Sequence, residues 1–375
     1  MAEPLPLRGT KTENGRVRLG LVGSARPYRG GIATYGTMLH RTLQARYDLR
    51  TVSFRKQYPR WLYPGPTDIE PGFEGWQEPG VEYLLHPFNT LSWKRAYRVL
   101  VEHQPHTVFF VWWTVFWALP YAVIAAQLER RGIRTVFICL NVLDHDARFW
   151  ISTVVRAVLS RRRTFLVHSN AEADRLRAMV PGSRVAVFPH PLYTQYPPPG
   201  NKLPRRAKLE LLFFGFVRPY KGLDVLAKAM KLLQNEDVFL TVAGEWWIHD
   251  AALRRELESG GRVEIIDRYI TEQETADCFA RADVVVLPYR HATATGVIPV
   301  AYHHGKPVIA TRVGGLPDLV DDGQSGLLIP PDDPGALAAA IRAFLRGTSV
   351  TPEGVRKMAA KMTWEGFADS IASLL

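Results

Sequence analysis

Cysteine is nearly absent: two occur in 375 residues, Cys139 and Cys278, far apart and in no Cys-x-x-Cys pair. That argues against a disulfide scaffold or a cysteine-built metal site and points to a reducing compartment. Acidic residues are in deficit. Lys+Arg 47 against Asp+Glu 36 leaves a formal charge of +11. Such a surplus favours an acidic partner: a nucleotide, a nucleic acid or an anionic membrane face. No fixed-period repeat or low-complexity tract occurs. Hydrophobic residues at 47% and charged residues at 22% exclude disordered and collagen-like classes. The start of the chain is polar (Arg8, Lys11, Glu13, Asn14), so no secretory signal is expected. Long apolar runs are scarce too. Val108–Ala126 has about the length of a bilayer span. It reads better as a buried strand, Val108–Trp112, and a helix, Leu119–Glu129, opened by Pro120 and stopped by Glu129-Arg130-Arg131-Gly132. Neither Gly-x-Gly-x-x-Gly nor a P-loop is present, which weakens dinucleotide and ATPase readings.

Short β-branched runs alternate with longer helical patterns. Val17–Val22 reads as a strand, followed by a Gly-rich loop and a helix over Thr34–Arg46. Val108–Trp112, Thr135–Leu140, Thr164–His168 and Val185–Phe188 read as further strands. The rhythm pauses at Tyr196-Pro-Pro-Pro-Gly-Asn-Lys-Leu-Pro204, where three consecutive prolines make a stiff connector. It restarts with strands at Leu209–Phe214, Phe239–Ala243, Val263–Ile266, Val284–Leu287 and Pro307–Ala310. Helices fit Gly222–Leu233, Ala251–Ser259, Glu272–Arg281, Gly296–His304, Leu316–Asp321 and Pro334–Leu345. This alternation predicts parallel sheets with helices on both faces. The expected architecture is two Rossmann-like, doubly wound α/β domains facing across a cleft. They would span residues 1–195 and 205–362, with a C-terminal helix at 363–375 placed to cross back. Ligand is expected at the carboxyl ends of the strands, in the cleft.

Three loops carry chemistry. Gly23-Ser-Ala-Arg-Pro-Tyr-Arg-Gly30-Gly31 joins a strand to a helix, and paired glycines let amides approach an anion. A plain strand–helix turn is the alternative. Gly215-Phe-Val-Arg218-Pro-Tyr-Lys221-Gly222 sets a guanidinium and an ammonium beside helix amides, which suits a diphosphate; two solvated cations are the alternative. In Tyr289-Arg-His-Ala292-Thr293-Ala-Thr295-Gly296-Val297-Ile-Pro-Val300, Thr295 is the expected N-cap and Gly296 the first helical residue. That would leave a crown of amides for phosphate oxygens. His303 and His304 diverge by about 100° on a helix, so they are expected to pack or face solvent. Asp144-His145-Asp146 has the D-x-D spacing by which some sugar transferases hold a divalent cation. No other oxygen ligand stands nearby, so no metal is expected, and His145 is read as a hydrogen-bonding partner for a sugar hydroxyl.

Arg156, Arg161, Arg162 and Arg163 punctuate the apolar pattern Ile151–Phe165, and Trp93-Lys94-Arg95 and Arg98 lie in the same domain. An interfacial helix on an anionic membrane is one reading, and a solvated helix face the other. Aromatic residues do not interleave with basic ones in an exposed β pattern and no recognised module occurs, so no nucleic acid is expected.

These segments, in this order, resemble the retaining, metal-independent glycosyltransferases of the GT-B fold, in particular family 4 (glycosyl transferases group 1). The likeness spans most of the chain. It is strongest in Gly215…Lys221-Gly222, Ala243-Gly244-Glu245, Ala282-Asp283…Pro288, Gly305-Lys-Pro-Val-Ile-Ala310, Gly314-Gly315-Leu-Pro317 and Asp322-Gly323…Gly326-Leu-Leu-Ile-Pro330. Gly30-Gly31, Asn141-Val142…His145-Asp146, Val167-His168-Ser169 and Pro189-His190-Pro191 match more loosely. The resemblance implies that Arg218 and Lys221 grip a donor diphosphate together with the amides of Gly296 and Val297. It implies Tyr269 and Ile270 near the nucleobase, and Gly31 where the acceptor loop meets the leaving phosphate. Gly244, Glu245, Tyr289, Thr293 and Thr295 complete the expected donor site; His145, Arg218 and Lys221 are the expected catalytic set.

There are departures. The family usually carries two glutamates where Ala292 and Val300 stand here. The arginine usual after the loop glycine is Phe216, with Arg218 two places on. A histidine frequent after the fourth strand gives way to Trp112-Trp113-Thr114. Part of the family has a similar Thr-Gly-Val-Ile-Pro loop, so the change does not by itself imply a dead enzyme. The implied function is transfer of a hexose from a nucleoside diphosphate sugar, of UDP or GDP type, to a hydroxyl acceptor (a glycan, glycolipid or small molecule), with retention and without a cofactor. Glycan, glycolipid or polysaccharide biosynthesis is the implied setting. The expected location is the cytoplasm, with a peripheral place at the inner face of the membrane if the acceptor is membrane-borne. A non-catalytic GT-B protein holding a nucleotide or a partner is the alternative.

Overall fold

A computed structural model describes residues 15–59, 67–143, 149–248, 250–259 and 262–375. The chain forms two compact units, Met1–Phe188 with Trp364–Leu375, and Pro189–Thr363.

In the first unit, β1 (Arg18–Val22), β2 (Asp48–Phe54), β3 (Val81–Leu85), β4 (Thr107–Trp112), β5 (Arg134–Cys139), β6 (Thr164–Val167) and β7 (Arg184–Val187) make one parallel sheet. Its order is β3-β2-β1-β4-β5-β6-β7. Helices α1 (Gly31–Arg46), α2 (Thr90–Glu102), α3 (Ala118–Arg130), α4 (Phe149–Leu159) and α5 (Asn170–Met179) connect the strands. Every residue of β4, Thr-Val-Phe-Phe-Val-Trp, is buried, as helices on both faces of a parallel sheet require.

In the second unit, β8 (Leu209–Phe214), β9 (Val238–Ala243), β10 (Val263–Ile266), β11 (Val284–Leu287), β12 (Val308–Thr311) and β13 (Gly326–Ile329) form a parallel sheet in the order β10-β9-β8-β11-β12-β13. Its helices are α6 (Leu223–Leu232), α7 (Ala251–Glu258), α8 (Glu272–Arg281), α9 (Val297–His303), α10 (Pro334–Arg346) and α11 (Pro352–Ala359). Leu211, Phe213, Leu240, Val242 and Val284 from the sheet share one core with Leu226 of α6 and Ile341 of α10.

The last helix, α12 (Trp364–Ala372), belongs to the first unit. Trp364 and Phe367 pack on Tyr35 of α1, with ring centroids 5.5 and 6.2 Å away, and Asp369 accepts from Arg46 at 2.5 Å.

Several expectations need correction. The units divide at Phe188 and Pro189, ahead of the proline run, because the connector is tied down on the second unit. Gly200 and Asn201 donate their amides to Asp277 Oδ1 at 2.8 and 3.1 Å. Leu316–Asp321 yields only the 3-10 turn Pro317–Leu319. Ile151–Phe165 is not one helix: α4 ends at Leu159 and β6 starts at Thr164. Arg162 faces inward at 2% exposure, paired with Glu129 and 5.8 Å from the Phe137 ring centroid. It therefore contributes nothing to a basic outer face. Val108–Ala126 resolves into β4 and most of α3, and no helix among the described residues is long and apolar enough to cross a membrane. β2, β3 and β13 were not among the expected strands. β3 buries only Val81 and Leu85, so an edge strand lacks the unbroken apolar run that marks a central one.

Candidate functional site

The second sheet reverses its winding between β8 and β11. Connections leave these neighbours in opposite directions, the switch point at which ligands of open α/β sheets bind outside the strands' carboxyl ends. The loops that follow the two strands are Gly215–Gly222 and Pro288–Gly296.

Glycine lets them meet. Gly222 has φ +67°, and a Cβ there would stand 2.0 Å from the Pro288 carbonyl oxygen. The Arg290 amide donates to the Tyr220 carbonyl at 2.7 Å. The Arg290 guanidinium donates twice to Asp224 of α6, at 2.8 and 2.7 Å, and once to Asp332 at 2.6 Å. This clamp fixes both loops to the helix behind them.

Lys221 sits where the loops join, 7% exposed. Its Nζ is 5.7 Å from the Tyr289 ring centroid and 3.1 Å from where a Cβ on Gly215 would be. Burial, and then the charge of Arg218, pull its pKa down to about 7. Arg218 is half-buried, its guanidinium carbon 4.3 Å from the centroid of Trp247. Phe216 stacks on the same indole, with centroids 4.4 Å apart and planes 27° apart. Neither cation is ion-paired to a carboxylate among the described residues. Two cations side by side in a partly dry loop, without counter-charge, suit an anion with several oxygens.

The other expected donor-site residues fall around this centre unevenly. Gly244 follows β9, and a Cβ there would be 2.2 Å from the Gly215 carbonyl oxygen. Glu245 accepts the Val217 amide through its own carbonyl at 2.9 Å. Tyr289 is buried under Lys221, and burial pushes its hydroxyl far above its usual pKa, opposed by a hydrogen bond to Thr295. Thr293 and Thr295 are buried beside it in sequence. Helix α9 begins at Val297 with Gly296 as N-cap, one residue later than expected. The Thr295 hydroxyl oxygen instead accepts the Val297 amide at 3.1 Å, so that amide already has a partner. A Cβ on Gly296 would lie 2.8 Å from the Tyr193 ring. Tyr269 and Ile270 lie between β10 and α8, and β9 separates their strand from β8. Gly31 opens α1 in the first unit, after Gly30 at φ +92°.

His145, with Asp144 and Asp146, lies outside the described residues. Among the described residues no group of three His, Cys, Asp or Glu is placed to hold a metal ion. His304 stacks on Phe279 with centroids 5.2 Å apart, and burial lowers its pKa to about 4, so it packs. Ala292 and Val300 are both buried. A Cβ on Gly314 would be 1.5 Å from the Ala292 carbonyl oxygen, so the Gly-Gly turn presses on that loop. Trp247 and Arg290 were missed in the sequence. The pair Trp246-Trp247, just past a strand, Gly244 and Glu245, was the available signal for the first.

The family model for glycosyl transferases group 1 matches residues 208–347, the stretch that holds both loops. Solved structures show the fold of the whole chain. Sucrose-phosphate synthase from Thermosynechococcus elongatus superposes with a TM-score of 0.70 at 22% identity, over 95% of this chain and 98% of that one. Anabaena HepE, solved with UDP and glucose, superposes with 0.69 at 16% identity, over 95% and 98%. The chain has the GT-B fold. Among curated relatives, a D-inositol 3-phosphate glycosyltransferase of Geodermatophilus obscurus is 31% identical over 236 residues, 54% of this chain and 52% of that protein. A glycogen synthase of Thermus thermophilus is 31% identical over 213 residues, 52% and 48%. This GT-B chain thus spans about half the length of the curated relatives it matches.

Proposed function

We propose that this GT-B protein transfers a sugar from a nucleoside diphosphate donor to a hydroxyl acceptor, with retention and without a metal. One observation carries the reading: Lys221, buried and without a carboxylate partner, beside Arg218 at the point where β8 and β11 diverge. In sugar transfer, positive charge grows at the anomeric carbon and negative charge on the departing diphosphate. Pre-placed cations in a partly dry loop meet that second charge best. In this reading a phosphate oxygen of the leaving group takes the acceptor proton, so the mechanism needs no protein base. The proposed donor contacts are Arg218, Lys221 and the Gly296 amide, with Gly244, Glu245, Tyr289, Thr293 and Thr295 holding the loops. His145, Gly31, Tyr269 and Ile270 keep the roles the family resemblance implies; the Val297 amide, already bonded to the Thr295 hydroxyl oxygen, does not. The test is transfer or hydrolysis with UDP-, GDP-, ADP- and dTDP-linked hexoses, the product's anomeric configuration read by NMR. Product inversion would remove retention, and affinity without product would remove catalysis.

A second reading rests on Ala292 and Val300, which supply no carboxylate and are buried. It is a GT-B protein that holds a nucleotide without turnover, and the same assay separates the two.

Peripheral contact with an anionic membrane is proposed for a different face from Ile151–Phe165. Phe88, Leu91 and Leu119 are 66%, 70% and 62% exposed near the starts of α2 and α3. Exposed Lys94, Arg95 and Arg98 continue the Leu91 stripe of α2 at i+3, i+4 and i+7. Sedimentation with anionic vesicles at low salt tests it, and an unbound supernatant refutes it.

A further inference from the structure

Val217 is held extended between two hydrogen bonds. Its amide donates to the Glu245 carbonyl at 2.9 Å, and its carbonyl accepts the Trp247 amide at 3.0 Å. A parallel bridge joins it to Trp246, and it is fully buried. In extended backbone alternate side chains share a face. Phe216 and Arg218 therefore leave on the side opposite Val217. Both reach the Trp247 ring, at 4.4 and 4.3 Å. A guanidinium lying on an aromatic face keeps its N–H fork in its own plane, available to a phosphoryl group.

We propose that Trp247, supported by Phe216, is a positioning residue that holds the Arg218 guanidinium toward the outer phosphoryl group of a nucleoside diphosphate. The proposal rests on the donor reading above and adds how the arginine is held. A side chain ordered before binding loses less freedom on binding, so removing the indole weakens contact with that phosphoryl group and spares the rest of the ligand.

Calorimetry with matched pairs, UDP and UMP, ADP and AMP, GDP and GDP's monophosphate GMP, tests this on the full chain. For the pair that binds, the wild type should prefer the diphosphate at least tenfold. Trp247→Leu should lose about three- to tenfold on the diphosphate and almost nothing on the monophosphate. Trp247→Phe should stay within about twofold of wild type, because a ring face remains. Trp247→Leu/Arg218→Ala should bind the diphosphate no worse than Arg218→Ala alone. Equal losses on both ligands, or additive losses in the double variant, would overturn the positioning role. If Arg218→Ala itself keeps full preference for the diphosphate, the donor reading of this loop falls instead. Should Trp247→Leu fail to fold by circular dichroism, Phe216→Leu and Trp247→Phe carry the same comparison. A Trp247→Phe loss as large as that of Arg218→Ala would then overturn the proposal.

Discussion

Replacing Lys221 with methionine keeps its length and removes its charge. In the native protein burial lowers the Lys221 pKa from 10.5 to about 7. At about 1.4 kcal/mol per unit, the charged form costs up to about 5 kcal/mol. The sign follows from the proton count. Between about pH 7 and pH 10.5 the unfolded chain holds one more proton than the native chain, so Lys221 makes stability rise with pH across that window. Below pH 7 the penalty is present in full. A diphosphate reverses the preference, because it binds the charged lysine. Its own phosphates are ionised above about pH 6, so they add little slope. If only charged Lys221 binds, affinity falls roughly 50-fold between pH 7 and pH 9, and binding at pH 8 takes up close to one proton. Titration calorimetry with UDP or ADP, in two buffers of different ionisation enthalpy, measures both quantities. Lys221→Met should bind at least about tenfold more weakly at pH 7, with no slope to pH 9, and should be more stable than wild type at pH 7. A wild-type affinity that stays flat from pH 7 to pH 9 would refute the reasoning, as would an unchanged slope in Lys221→Met.

Other outcomes follow from the same geometry. Gly222→Ala should cost about 2–4 kcal/mol in urea unfolding, since φ is +67° and the new Cβ would meet the Pro288 oxygen. Gly132→Ala has φ +76° but nothing within 4 Å, so it should cost only about 1 kcal/mol. Transfer activity should survive EDTA, and strict dependence on a divalent ion would restore a metal role for Asp144 and Asp146. Arg162→Met should cost about 1–3 kcal/mol by taking the buried cation from the Glu129 carboxylate, which keeps only the Thr135 hydroxyl, while binding to anionic vesicles stays unchanged.

Strands such as β8 and β11 were legible because parallel strands covered on both faces are continuous apolar runs, which mark themselves; interior β2, which opens Asp-Leu-Arg-Thr, was not. Leu209–Phe214 and Val284–Leu287 fall where the residues alone put them. The loop Gly215–Gly222 also follows β8 where the residues put it, its glycines and cations close together in the chain. Edge strand β3 was not legible, nor was the inward turn of Arg162, since both depend on what lies across the fold.

Local chemistry decided which residues are able to meet an anion: Arg218, Lys221 and the glycines between strand and helix. Only the tertiary structure decided which of them act together. The change of direction between β8 and β11 brings Lys221 onto Tyr289, 68 positions away by residue number. The β8–β9 pairing brings Trp247 under Arg218. A sequence records neighbours along the chain, whereas the burial that retunes a lysine and the ring that orients an arginine come from residues distant in it.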